Sequence, residues 1–104
     1  GLSEVLTLEE PVIINCTGLG SRTLFGDEEL IPIKGQLVFL LPQEEVQYII
    51  VGNGGLYMFP RSDGILLGGT FERNQWDVQP DPKVTRQLLS GHRAFFDAMQ
   101  DPWS

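Results

Sequence analysis

The hydrophobic pattern changes period several times along the chain, and each change marks an element. Residues 2–10 are polar, with Leu2, Val5, Leu6 and Leu8 interspersed, and predict a weak helix or turn ahead of Pro11. Val12-Ile13-Ile14-Asn15 is a short, nearly continuous β-branched run. A run of this kind predicts a strand buried on both faces, as in a parallel sheet. The glycines of Cys16-Thr17-Gly18-Leu19-Gly20-Ser21-Arg22 permit a tight turn, Ser21 is placed to cap a short helix, and Gly26 to end it.

From Gly35 onward the pattern becomes that of strands. Gly35–Leu41 is one, stopped by Pro42, and Gln47–Val51 is a second. Gly52-Asn53-Gly54-Gly55 supplies turn chemistry for a hairpin into Leu56–Pro60. Arg61-Ser62-Asp63-Gly64 is a further turn, with Gly64 suited to positive φ, and Ile65–Gly69 is the last strand. Short connections predict an antiparallel meander of these strands. After Trp76 the period becomes helical: Asp81 is an N-cap, Pro82 takes the first helical position, and Pro102 ends the helix. Val84, Leu88, Phe95 and Met99 share one face, which Leu89 and Phe96 widen. Gly91 costs a helix about 1 kcal/mol relative to alanine, so a close packing contact is expected there.

The alternation also says what is left uncovered. Leu37, Phe39 and Leu41 point one way from their strand and Val38 and Leu40 the other, and Tyr48–Val51 and Ile65–Leu67 are apolar throughout. One helix covers one face of a sheet, and a solvated antiparallel face is ordinarily polar. The second face therefore calls for a partner: the remainder of a larger protein, or a second copy in a homodimer.

Composition narrows the class. At 104 residues the chain is sized for one small domain. Seven basic residues against fourteen acidic ones give a formal charge of -7. Such a surface repels phosphate backbones and anionic membranes, so neither nucleic acid nor a membrane is expected as a partner. Cys16 and His92 are each the sole residue of their type, which excludes an internal disulfide and a Cys/His zinc site. A lone cysteine and the lack of a signal peptide or transmembrane-length segment point to an intracellular setting. The chain opens Gly1-Leu2-Ser3 without an initiating methionine, as expected of a processed or excised product.

Few residues suggest chemistry on their own. Gly18-Leu19-Gly20 starts like the G-x-G-x-x-G dinucleotide turn, but the third glycine is replaced by Thr23 and no acidic ribose partner follows. The bland reading is a turn that needs glycine. Cys16 and His92 could form a nucleophile–base pair, yet nothing in the sequence brings them together, and a strand-end cysteine usually serves as a small hydrophobe. The acidic pairs Glu9-Glu10, Glu28-Glu29 and Glu44-Glu45 fall in predicted turns and read as solvated charge. Tyr57, in the apolar strand Leu56-Tyr57-Met58-Phe59, is either a core tyrosine or a ligand contact.

Four segments taken together carry a resemblance: Val12-Ile13-Ile14-Asn15-Cys16-Thr17-Gly18, Ile31-Pro32-Ile33-Lys34-Gly35-Gln36, Tyr57-Met58-Phe59-Pro60-Arg61 and Leu67-Gly68-Gly69-Thr70. In this order and spacing, over roughly residues 5–99, the chain resembles the FAD-dependent D-amino-acid oxidase family. The resemblance implies an α/β architecture: one buried strand from a FAD-binding domain, a four-stranded antiparallel meander and a C-terminal amphipathic helix. It implies a boundary as well, with residues 1–34 a remnant of the FAD-binding domain and 35–104 part of the substrate-binding domain.

It further implies that Thr17 and Gly18 lie beside FAD and that the Tyr57 hydroxyl contacts the substrate carboxylate. The implied reaction is oxidation of a D-amino acid or related amine by hydride transfer to FAD. An imino acid results, then an oxo acid and ammonia, with peroxide if oxygen is the acceptor. No catalytic base and no metal are implied, because the flavin carries the chemistry. The resemblance implies a cytoplasmic setting, or a peroxisomal one if the source is eukaryotic. The pyrophosphate-binding turn and the arginine that pairs with the substrate carboxylate have no counterparts in the chain, and Arg61, Arg73 and Arg93 do not match that arginine. The isolated chain is accordingly expected to be inactive and not to retain FAD. The alternative is a non-catalytic binding module derived from the oxidase fold.

Overall fold

The alternating apolar positions of residues 38–68 build the centre of the molecule in the computed structural model, which describes residues 1–101. Four antiparallel strands form one sheet: β2 (Val38–Leu40), β3 (Ile50–Val51), β4 (Tyr57–Arg61) and β5 (Gly64–Gly68), in the order β2-β5-β4-β3. The pairing of Arg61 with Gly64 leaves Ser62 and Asp63 as a two-residue hairpin loop, and Gly64 has φ 155°. Asn53–Gly55 form a 3₁₀ turn between β3 and β4, with Gly54 and Gly55 at φ 70° and 79°.

The antiparallel sheet and C-terminal helix are as expected, but only β3, β4 and β5 run as a meander. The first strand lies beside the last one instead of beside β3. The segment between β2 and β3 contains Pro42 and Glu44-Glu45 and is too long for a tight hairpin. Val46 in that segment packs on Met58, Ile65 and Leu67, so the connection crosses the sheet on the helix side.

Register sorts the side chains. Val38, Leu67, Met58 and Ile50 are cross-strand partners on one face, as are Leu40, Ile65 and Pro60. The core lies here, with Met58, Ile65 and Leu67 buried. Helix α3 (Pro82–Asp97) packs on this face through Leu88 and His92, both buried, and Phe96. Asp81 caps it as expected, its carboxylate accepting from Lys83 N–H at 2.8 Å. Leu89 and Met99, assigned to the apolar face from their spacing, are 40% and 57% exposed; His92 takes the buried place. The helix ends at Asp97, and Pro102 lies outside the described residues.

A small ribbon of β1 (Ile33–Lys34) and β6 (Glu72–Arg73) adjoins the sheet and was not foreseen from two-residue strands. Gln36 ties this junction together. It is buried, exchanges hydrogen bonds with Thr70, and its amide reaches the Asp81 carbonyl at 3.0 Å and the Thr85 hydroxyl at 2.8 Å. Its carbonyl accepts from Asp81 N–H at 2.8 Å, so the start of α3 is set against the sheet by one side chain.

The N-terminal third is laid out differently. Helices α1 (Leu2–Val5) and α2 (Gly20–Phe25) are short, and Ser21 is the only buried residue among residues 1–30. The radius of gyration is 19.5 Å, against about 13 Å for a compact chain of this size. Val12–Asn15 is the clearest correction: the run joins no sheet, and Val12 and Ile14 are 75% and 81% exposed. A strand buried on both faces needs flanking strands, and none of the described residues provides them. Ser21 likewise does not cap α2; the N-cap is Leu19, and the Ser21 hydroxyl bonds to Asn15 and Thr17 instead. Gly26 does end that helix, at φ 67°.

Candidate substrate face and flavin-side turn

The face of the sheet turned away from α3 carries Tyr57, Phe59 and Arg61 from β4, Phe39 from β2 and Leu66 from β5. It is open, with Phe39 49% exposed and Phe59 37%. The Tyr57 and Phe59 rings sit 5.4 Å apart at 56°, and the Arg61 guanidinium lies 5.6 Å from the centre of the Phe39 ring. Arg61 also forms a two-pronged pair with Asp63, at 2.9 and 3.0 Å, which holds the Asp63 carboxyl below its usual range. That pairing balances the charge of Arg61 within the hairpin.

Tyr57 is the uncharged polar group this face presents. Its backbone partner across the ladder is Gly68, and the ring lies directly over that glycine. A Cβ built at residue 68 would coincide with the ring, so glycine is required there for the ring to lie down on the sheet. Gly69, at φ 132°, is equally constrained: a Cβ would stand 2.6 Å from the Gly55 carbonyl oxygen. The Tyr57 hydroxyl makes no hydrogen bond to any described residue. A phenol on an open apolar face leaves its hydroxyl accessible to a hydrogen-bonding group.

Thr17 and Gly18 form a turn locked by side-chain hydrogen bonds. Asn15 Oδ1 accepts from Thr17 N–H at 3.1 Å and from the Thr17 hydroxyl at 2.7 Å. Asn15 Nδ2 donates to Ser21 Oγ at 2.8 Å, and the two hydroxyls are 2.8 Å apart. The Thr17 hydroxyl is thus committed within the turn. Gly18 has φ 54°, and a built Cβ there meets only open space. The turn therefore offers a bare backbone edge that a ligand can approach closely.

The remaining candidates separate. Cys16 is exposed in the N-terminal arm, whereas His92 is buried behind the sheet with Nε2 3.1 Å from the Gly68 carbonyl oxygen. A cleft of about 580 Å³ opens between α3 and the sheet, lined by Val46, Tyr48, Leu89, Phe96 and others. It lies on the opposite face from Tyr57 and is mostly apolar, with Gln43, Tyr48, His92 and Arg93 as its polar lining. The importance of Gly68 was not apparent from the sequence. Leu67-Gly68-Gly69-Thr70 was visible as a motif, but its role depends on the register that sets Gly68 under Tyr57.

The described residues thus hold two separate candidate features, an open apolar sheet face carrying the Tyr57 hydroxyl and a bare glycine turn in the N-terminal arm. The chain belongs to the FAD dependent oxidoreductase family, whose profile matches residues 2–103. It is 35% identical over 79 residues to D-aspartate oxidase of Homo sapiens, covering 76% of this chain and 23% of that protein. Identity to D-amino acid oxidase of Dugesia ryukyuensis is 34% over 92 residues, covering 88% of this chain and 27% of the relative. Against D-amino-acid oxidase of Streptomyces coelicolor it is 32% over 92 residues, covering 85% and 29%. The chain thus spans about a quarter of the length of these curated relatives.

Among the described residues, no helix is long and apolar enough to cross a membrane.

Proposed function

We propose that the chain is the substrate-facing portion of an FAD-dependent enzyme that oxidises a D-amino acid or a related amine. Residues 1–34 would belong to the flavin-binding side, with Thr17 and Gly18 against the cofactor, and residues 35–104 to the substrate side. The observation that carries this reading is the Tyr57 hydroxyl, without a partner among the described residues, on an apolar sheet face. Membership of the family and the names of the relatives support it.

When bound, FAD supplies the two-electron acceptor for the hydride that leaves the amine-bearing carbon. The chain's own residues bind and orient. Tyr57 donates its phenolic hydrogen to the substrate carboxylate, a charge-assisted bond that fixes one end of the molecule. Phe59, Leu66 and Phe39 form an apolar floor around it. The amine loses a proton as its carbon loses the hydride, and the imino acid hydrolyses to an oxo acid and ammonia. With oxygen as final acceptor, peroxide is the second product.

The test is an assay of the complete protein containing this segment for peroxide and ammonia release from paired D- and L-amino acids and from glycine. Turnover of D-enantiomers alone, or of glycine, is expected. A flavin-loaded protein that turns over none of them would contradict the reading, and a protein that never binds flavin would favour the non-catalytic module.

A further inference from the structure

We infer that helix α3 is a brace for Tyr57, with His92 as its positioning residue. The inference rests on the reading of Tyr57 as a substrate contact. His92 is 3% exposed, and its Nε2 lies 3.1 Å from the Gly68 carbonyl oxygen. A carbonyl can only accept, so Nε2 carries a hydrogen and donates it to Gly68. Gly68 is the residue on which the Tyr57 ring lies. The height and tilt of that ring follow from where the Gly68 backbone sits, and the ring's own hydroxyl has no anchor among the described residues.

Two neighbours of His92 on the helix hold the other side of Tyr57. Gly91 packs so tightly on Leu56, the residue before Tyr57, that a Cβ at 91 would stand 3.3 Å from a Leu56 methyl. The Phe95 ring packs on Gly52, whose N–H closes the same turn by donating to the Leu56 carbonyl oxygen at 2.8 Å. One stripe of the helix therefore fixes both backbone neighbours of Tyr57, the one before it in sequence and the one across the ladder.

Packing alone does not explain a histidine here. His92 Nδ1 is buried without a partner, an unfavourable state that an aliphatic side chain would avoid. What the imidazole adds over a leucine is the hydrogen bond to Gly68.

The experiment is steady-state kinetics on the complete flavoprotein with a turned-over D-amino acid, comparing His92→Leu, His92→Gln, Tyr57→Phe and the double variant Tyr57→Phe/His92→Leu. His92→Leu is expected to raise KM about fivefold to tenfold with kcat within about twofold. His92→Gln, whose amide N–H reaches the position of Nε2, is expected to restore KM to within about twofold. In the Tyr57→Phe background His92→Leu should add nothing further, because its effect passes through Tyr57. An equal KM rise in both backgrounds, or unchanged KM with lowered thermal stability, overturns the brace. If Tyr57→Phe alone leaves KM unchanged, the substrate-contact reading fails and the inference falls with it. Should His92→Leu not fold, Gly91→Ala takes its place: it pushes Leu56 by a few tenths of an ångström, and its KM rise should also vanish without the Tyr57 hydroxyl.

Discussion

The ring of Tyr57 lies on Gly68, its cross-strand partner, in a slot that only a residue without a Cβ leaves open. The aromatic ring in turn covers a glycine that would otherwise weaken the strand. Gly68→Ala forces the ring off the sheet. The expected result is a loss of about 1–3 kcal/mol of stability, typical of overpacking, together with a raised KM. Urea denaturation of the variant, with kinetics on the complete protein, checks both; wild-type values for each would show that the ring is not seated on Gly68.

The open face makes a prediction about assembly. Phe39, Phe59 and Val51 are exposed on a sheet with free edges at β2 and β3. Apolar faces and unpaired edges of this kind associate. The 104-residue chain should sediment as a dimer or larger species at micromolar concentration and bind a hydrophobic dye. A monomer that leaves the dye dark would mean that the chain closes its own surface.

Flavin retention by the chain alone is expected to be nil. Thr17 and Gly18 provide only a backbone edge, and α2 is six residues long, too little to serve as a pyrophosphate site. FAD fluorescence should be unchanged on titration with the purified chain. Stoichiometric yellow protein would contradict this.

Asp81 offers a control remote from the open face. Its carboxylate caps α3 through Lys83 N–H. Asp81→Ala should cost about 1 kcal/mol, the usual value of an N-cap, as read from the urea midpoint. A loss well beyond that would show that the cap also supports the Gln36 junction.

Much of this architecture was legible in the sequence, because it depends on local signals. The Asp81-Pro82 helix start, the Gly64 turn, the Gly26 helix end and the alternation that sets Tyr57 opposite Met58 are each decided within a few residues. What was not legible depends on distant partners. The place of β2 beside β5 follows from a crossover whose path is set by Val46 in the core. Ile33–Lys34 is a strand only because Glu72–Arg73 pairs with it. Val12–Asn15 has the composition of a buried strand but no neighbour among the described residues, so composition alone misplaced it. Gly68 and His92 acquire meaning only when register and helix packing bring them to Tyr57.

The central claim is that the Tyr57 hydroxyl binds the substrate carboxylate, and steady-state kinetics of Tyr57→Phe in the complete flavoprotein test it most directly. The variant keeps the ring over Gly68 and removes only the donor. A hydrogen bond to a charged group contributes about 1.5–3 kcal/mol, so KM should rise about tenfold to a hundredfold while kcat falls much less. An unchanged KM for the D-amino acid, with or without a shift in thermal stability, would contradict the account.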